Sequence, residues 1–220
     1  MQGVTLKDVN TVLCLGAHAD DIEIGCGGSL LQMIDANPHL HVHWCVFSGD
    51  PVRKQEAMAS AEHFVSGAEK SSVETYDFRD SYFPDQWAEI KACFSDLSKR
   101  INPDLIFSHR PDDRHQDHRV VSELTWCTFR DHLILEYEIP KYEGDLGNPN
   151  WYLPISKRYC GKKITTLLDC FESQLDKAWF DAELFRSLMR IRGSECNSTS
   201  RYAEAFYCRK ATFGFLPSKS

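Results

Sequence analysis

Two short segments of the chain concentrate histidine and aspartate at close spacing. They are Ala17-His18-Ala19-Asp20-Asp21 and His115-Gln116-Asp117-His118. His18 and Asp21 are three residues apart, as are His115 and His118, and in a helical turn such positions share a face. Two imidazoles and one carboxylate suit zinc, with a fourth position open to water. The segments therefore predict a catalytic zinc site, and spacing alone leaves open whether His115 or His118 is the second imidazole ligand.

The other acidic residues of these segments predict how protons are handled. Zinc lowers the pKa of a bound water to about 7, and Asp20, adjacent to Asp21 but off its face, is placed to accept the water proton as general base. The histidine that is not a ligand would stabilise negative charge on a carbonyl oxygen. Asp117 would hold that histidine's second nitrogen and favour its charged form. We expect Asp112 and Asp113 only to cap the following helix.

Both segments follow strands in an alternating pattern of strands and helices. Apolar runs predict strands at residues 11–16, 41–48, 73–78 and 104–108, with helices at 29–36, 53–65 and 86–100 between them. This order predicts an α/β protein, a Rossmann-like three-layer sandwich with a mostly parallel sheet. In the common strand order 3-2-1-4 the first and fourth strands are neighbours, so both segments would meet where such sheets bind ligands.

The second half of the chain has a weaker pattern. It predicts a helix from His118 through Phe129, a fifth strand at 133–139, helices at 164–171 and 182–191, and an edge strand at 202–209. Residues 140–149 are predicted to form a loop, and its length favours a functional role such as covering a site. Gly25-Cys26-Gly27-Gly28 predicts tight packing after the first segment. With no internal repeat or linker, we expect a single domain over residues 1–220.

Composition and net charge argue against several classes of protein. The 220 residues include 42% hydrophobic residues and carry a net charge of -7, which argues against binding to nucleic acid or to an anionic membrane. The N-terminus lacks a signal-peptide pattern, and no apolar run is long enough to cross a bilayer. The nine cysteines form no CxxC pair and favour a reducing compartment. We therefore expect a cytoplasmic protein.

At these segments the chain resembles the PIG-L/LmbE-like N-deacetylases. The family's first motif, [AP]HPDD followed by a Gly-Cys-Gly-Gly-like run, is similar to residues 17–28, and its second ends in HxDH, like residues 115–118. The resemblance covers roughly residues 10–125. It implies a zinc hydrolase that removes an acetyl group from an N-acetylglucosaminyl-type small molecule or sugar conjugate. It also allows for a homo-oligomer.

The resemblance assigns the metal-binding residues position by position. It makes His18, Asp21 and His118 the ligands of Zn²⁺, and Asp20 the general base. Ala19 stands where the family usually has proline, which would stiffen the turn without touching the metal. We therefore expect a less rigid turn at Ala19 and unchanged chemistry at the metal site.

The resemblance also assigns the residues around the metal. His115 becomes the oxyanion stabiliser and a general acid, with Asp117 behind it. Arg53, in an RxxE-like segment, and Asp80, like an aspartate that meets sugar hydroxyls, would contact the substrate. As structural alternatives, Arg53 could be a solvated charge at a helix start and Asp80 a turn residue.

Four alternative classes of protein are also considered. A metal-dependent amidase acting on a sugar conjugate would use the same residues. A non-haem iron oxygenase also uses two histidines and a carboxylate, but its usual all-β setting conflicts with the alternating pattern. A metallo-β-lactamase-like HxHxDH motif would need a histidine where Asp113 stands. A non-catalytic metal-binding module would need neither Asp20 nor His115.

Overall fold

The chain folds around a seven-stranded sheet, and the computed structural model describes residues 3–212 and 214. The strands are β1 (Thr11–Gly16), β2 (His41–Ser48), β3 (Lys70–Phe78), β4 (Leu105–His109), β5 (Leu133–Tyr137), β6 (Trp151–Ile155) and β7 (Tyr202–Tyr207). The helices are α1 (Asp21–Ala36), α2 (Pro51–Val65), α3 (Trp87–Arg100), α4 (Gln116–Thr128), α5 (Lys157–Cys170) and α6 (Ala182–Glu195).

The sheet is mostly parallel, as predicted. Its spatial order is β3-β2-β1-β4-β5-β7-β6. Strands β1 to β5 are parallel, while β7 is antiparallel to both β5 and β6. Because β1 pairs with β2 on one side and β4 on the other, the order reverses between β1 and β4. This is the crevice position that the sequence predicted.

Alternating apolar residues along the strands bury both faces of the sheet. On β1, Leu13 and Leu15 belong to a core with helices α3 and α4, whereas Val12 and Cys14 belong to a core with α1, α2, α5 and α6. Side chains alternate between faces in a strand, so one apolar run serves both cores. The result is the predicted three-layer sandwich.

Helix α1 begins at Asp21, earlier than the predicted start at residue 29, so the glycine run lies inside the helix. A Cβ atom added at Gly25 would lie 2.3 Å from the ring of Tyr137, and one at Gly27 would lie 2.6 Å from Phe64. The glycines therefore let aromatic side chains pack directly against the helix backbone. Tight packing was predicted, but placing the start of the helix after the glycines was wrong.

The C-terminal half differs from the prediction in three elements. Strand β7 is not at an edge, because it pairs with both β5 and β6. Strand β6 was missed; it is short, lies at the edge of the sheet and contains Pro154, which lacks a hydrogen-bond donor. Helix α5 also starts earlier than residue 164, after Ser156, whose side chain accepts from the Tyr159 N–H.

Two findings concern cysteines and membranes. All nine cysteines are free, and four of them are buried. Within residues 3–212, no helix combines the length and the apolar character needed to cross a bilayer.

Candidate active site

The two His–Asp segments meet at the carboxyl ends of β1 and β4. His18 follows β1 by two residues, and α1 starts at Asp21. His118 lies in the first turn of α4, which follows β4. Because β1 and β4 are adjacent parallel strands, both segments emerge at the same edge of the sheet. The fold therefore places the predicted residues in one crevice.

The three predicted metal ligands converge on a small volume. Nδ1 of His18 lies 3.1 Å from Nε2 of His118. Asp21 Oδ2 lies 3.5 Å from His18 Nδ1, and Asp21 Oδ1 lies 3.5 Å from His118 Nε2. Donor atoms bound to one tetrahedral zinc ion at about 2.0–2.1 Å lie about 3.3 Å apart. These distances are close to that spacing, with Asp21 presenting a different oxygen to each histidine, so the three residues could share a zinc ion.

A carboxylate behind each histidine fixes which ring nitrogen faces the metal position. His18 Nε2 lies 3.1 Å from Asp117 Oδ2, and His118 Nδ1 lies 2.9 Å from Asp113 Oδ2. With its outer nitrogen donating to a carboxylate, each ring would present the lone pair of its inner nitrogen to a metal ion. Burial opposes the charged form of His18, but hydrogen bonds to Asp117, Asp21 and Asp80 outweigh it and raise the pKa of His18 well above its usual value. Burial lowers the pKa of His118 to about 3, so its ring is neutral and able to ligate at neutral pH.

Other donor groups surround the same volume. Groups of donor atoms close enough to share an ion are His18–His115–His118, His18–Asp80–His115–Asp117 and Asp21–His109–His118. His109 received no role from the sequence, yet it is fully buried and its Nε2 lies 3.2 Å from Asp21 Oδ2. Its place as the last residue of β4 was the signal that could have identified it.

Asp20, the predicted general base, sits in a constrained position. Its φ of 135° lies in a region that side-chain-bearing residues rarely adopt. The carboxylate is 5% exposed and lies 2.9 Å from the Arg53 guanidinium. Burial raises the pKa of Asp20 to about 6, although the charge of Arg53 acts in the opposite direction. A carboxylate with this pKa is ionised at neutral pH and readily protonated.

His115 and Asp117 do not pair as expected. The carboxylate of Asp117 accepts from the N–H groups of Ser81 at 2.6 Å and Phe83 at 3.1 Å, and it contacts His18. His115 instead caps α4, its Nδ1 accepting the Asp117 N–H at 3.3 Å. Burial, with the nearby His18, lowers the pKa of His115. Asp117 therefore does not hold the second nitrogen of His115 as predicted, and although its charge favours the charged ring, burial and His18 outweigh it.

The prediction that Asp113 only caps a helix was also wrong. Asp113 is 1% exposed, and its carboxylate accepts from the His115 N–H at 2.8 Å as well as from His118. Helix α4 is capped by His115 itself. Asp112 is exposed. The role of Asp113 could have been inferred from chemistry, because a metal-binding histidine usually donates its second N–H to a carboxylate.

The two predicted substrate contacts lie on either side of Asp20 and His18. Arg53 donates to the Ala19 carbonyl, to Asp20 and to Glu56 Oε2 at 2.8 Å. Asp80 is mostly exposed, and its Oδ1 lies 3.2 Å from His18 Nε2. Arg53 is therefore not a freely solvated charge. Much of its guanidinium is bonded within the protein, so not all of its donors are available to a substrate.

Two cavities adjoin this cluster and share His18 and Asp80 in their walls. The larger, about 360 Å³, also contains the predicted base, the other ligands and His115. Its outer wall comes from residues 139–143 and from Gln174, Lys177 and Trp179. The smaller, about 310 Å³, is lined by Arg53 and by polar residues of 48–50 and 77–80. The loop after β5 thus forms one wall of the larger cavity.

A parallel sheet with clustered histidines and carboxylates beyond its strand ends is a setting suited to metal-assisted hydrolysis. Residues 13–129 match the model of the PIG-L family, described as GlcNAc-PI de-N-acetylase. The match spans more than half of the chain, so the chain belongs to the PIG-L family. Family membership confirms the predicted enzyme class, an N-deacetylase hydrolase. No curated protein sequence matches the chain.

Solved structures share the fold. N,N'-diacetylchitobiose deacetylase from Pyrococcus horikoshii is 20% identical, with a TM-score of 0.67 over 91% of this chain and 84% of that one. The 4-carboxy-2-hydroxymuconate hydratase GalB from Pseudomonas putida KT2440 is 18% identical, with a TM-score of 0.76 over 95% and 100%. The zinc-inhibited form of teicoplanin deacetylase Orf2 is 13% identical, with a TM-score of 0.65 over 90% and 96%. At these identities the likeness concerns the fold alone.

Proposed function

We propose that the protein is a zinc-dependent hydrolase that removes the N-acetyl group from a small molecule containing an amino sugar. The observation that carries this proposal is the 3.1 Å approach of His18 Nδ1 to His118 Nε2, with a carboxylate behind each ring. His18, Asp21 and His118 would hold the ion. When bound, zinc supplies a water acidic enough to react near neutral pH.

Asp20 serves as the general base in this proposal. It adjoins Asp21 in the chain and lines the same cavity as His18 and His118. Oδ2 of Asp20 is held 2.9 Å from the Arg53 guanidinium. The carboxylate therefore takes up the proton of the attacking water and releases it as the amine leaves.

His115 serves as the oxyanion donor in its neutral form. Its Nδ1 accepts the Asp117 N–H, so the neutral ring carries its hydrogen on Nε2. That N–H can donate to the carbonyl oxygen of the amide as negative charge develops there, and no imidazolium is needed. The lowered pKa of His115 agrees with this role. Asp117 contributes by orienting His18.

The sugar would occupy the smaller cavity and the space beside Asp80. Carboxylates and arginine suit hydroxyl groups, and this cavity contains Asp50, Asp77, Arg53 and Arg79. Asp80 is well placed for a hydroxyl because it is exposed yet adjacent to His18. The family's described activity on a GlcNAc group supports this substrate class. We propose acetyl as the acyl group because of the same family description.

The experiment is a screen for acetate release by metal-free and zinc-loaded protein. Substrates would include N-acetylglucosamine, N,N'-diacetylchitobiose and N-acetylglucosaminyl conjugates, with His18→Ala as the metal-site control. Zinc should be titrated from below one equivalent to excess, because a teicoplanin deacetylase of this fold has a zinc-inhibited form. We expect chelator-sensitive acetate release. Its absence with every substrate at every zinc level would reject the proposal.

The screen also separates the alternatives. The hydratase among the fold relatives shows that the fold itself does not select the reaction. Oxygen consumption by iron-loaded protein without acetate release would indicate an oxygenase. A metal-dependent amidase would release an acid other than acetate from a sugar conjugate.

A further inference from the structure

Lys141 lies in the loop after β5, and its ammonium group is fully engaged by the protein. Its Nζ lies 2.9 Å from Asp113 Oδ2, and 3.0 and 2.9 Å from the two carboxylate oxygens of Asp145. It also donates to the Ile139 carbonyl at 3.3 Å. An ammonium has three hydrogens to donate. Although Lys141 lines the larger cavity, it has no spare donor for a substrate.

Asp113 connects Lys141 to the proposed metal site. The same oxygen that accepts from Lys141, Oδ2, contacts His118 Nδ1 at 2.9 Å. The other oxygen accepts from the His115 N–H. The side chains of Lys141 and Asp113 are 9% and 1% exposed, so water cannot readily replace either partner. Lys141 is thus one side chain removed from a proposed zinc ligand.

The loop that carries Lys141 is anchored independently of the metal. Asp145 accepts from the Arg114 N–H at 2.7 Å. Further along, Arg192 donates to the Gly147 carbonyl at 3.0 Å and to Glu138 at 2.7 Å. The Arg192–Glu138 pair is buried. The position of Lys141 is therefore built into the fold and does not depend on a bound ion.

We propose that Lys141 is a positioning residue for the metal site, acting through Asp113 on His118. This inference rests on the proposed metal site. A buried carboxylate without a cationic partner is costly and tends to turn toward other donors. Lys141 holds Asp113 Oδ2 in place, so the His118 ring stays oriented with Nε2 toward Asp21 and His18. Partners behind a metal ligand typically change metal affinity by about 10–100-fold.

The test is zinc affinity of the metal-free protein, measured by competition with a chromophoric chelator and without substrate. Lys141→Met should weaken zinc binding about tenfold. Lys141→Arg, which keeps the charge, should restore part of that loss. Lys177→Met is the matched control, because Lys177 lines the same cavity but is exposed. It should leave the zinc Kd within about twofold.

A double-mutant cycle shows whether Asp113 carries the effect. Adding Lys141→Met to Asp113→Asn should cause no further loss of zinc affinity. The double variant removes the charges of Lys141 and Asp113 together, so it and Lys141→Arg remain informative if Lys141→Met fails to fold. Folded Lys141→Met with wild-type zinc affinity would overturn the proposal, as would equal weakening by Lys177→Met or additive losses in the double variant. These readouts need no turnover, so they are independent of whether acetate is released.

Discussion

His18 Nδ1 and His118 Nε2 lie 3.1 Å apart at the junction of two adjacent parallel strands. One hundred residues of chain separate them, and neither ring is free to turn, because Asp117 and Asp113 each contact the opposite nitrogen. At this distance the two nitrogens must share either a proton, in agreement with the raised pKa of His18, or a cation. A cation would lie between them and Asp21.

Asp113→Asn should weaken zinc binding by about 10–100-fold, because the amide cannot match the carboxylate as acceptor for the His118 N–H. The matched control is Asp112→Asn, since Asp112 is the exposed neighbour. Chelator competition on both variants measures the difference. If the two variants bound zinc equally well, Asp113 would not support the metal ligand.

Gly25→Ala should destabilise the protein by about 1–3 kcal/mol, because the new Cβ would lie 2.3 Å from the Tyr137 ring and the core must shift. Gly161→Ala in α5 is the control. No atom lies within 4 Å of a Cβ there, so the higher helix propensity of alanine should stabilise by about 0.5–1 kcal/mol. Urea unfolding of both variants gives the comparison. A neutral Gly25→Ala would show that α1 is not packed this closely.

Glu74→Gln should make stability less dependent on pH in the acid range. A hydrogen bond from Arg100 lowers the pKa of Glu74 in the folded protein. A lowered pKa gives stability that is complete above the unfolded value of about 4.3 and is lost as pH falls toward the folded value.

The effect of Glu74→Gln should be modest, because Arg100 is about half exposed. The free energy of unfolding of the wild type should exceed that of the variant by less than about 1 kcal/mol at pH 7. This difference should become smaller as the pH falls through about 4. Free energies of unfolding at several pH values provide the measurement. A gap that stayed constant with pH would exclude this ion pair as its source.

The placement of the proposed metal ligands could be predicted from sequence because it needs only strand order. His18 and His118 follow two apolar runs, and right-handed parallel connections bring the ends of such runs to one edge. Burial on both faces makes these strands continuous apolar runs, which are easy to recognise. The same reasoning gave the order of the first four strands.

The partners behind those residues could not be predicted in the same way. Whether Asp117 faces His18 or His115 depends on side-chain direction in the first turn of α4, and the N–H groups of Ser81 and Phe83 settle it. The Lys141–Asp113 contact depends on the path of a loop that no periodic pattern describes. Sequence spacing contains neither kind of information.

The antiparallel end of the sheet escaped prediction for a different reason. β6 is five residues long and includes Pro154, so its pattern is weak. β7 lies between β5 and β6 in the sheet, and this pairing depends on tertiary contacts that the local sequence does not encode. An internal strand and an edge strand of this length look alike in sequence.

Zinc content and acetate release, measured together for Asp20→Ala and His18→Ala, test most directly whether Asp20 is the general base of a zinc site. We predict that Asp20→Ala keeps its zinc and loses about 10²–10⁴-fold in turnover, because the ligands remain while the base is gone. His18→Ala should lose both zinc and activity. Near-normal turnover by zinc-loaded Asp20→Ala would contradict the assignment of Asp20 as general base.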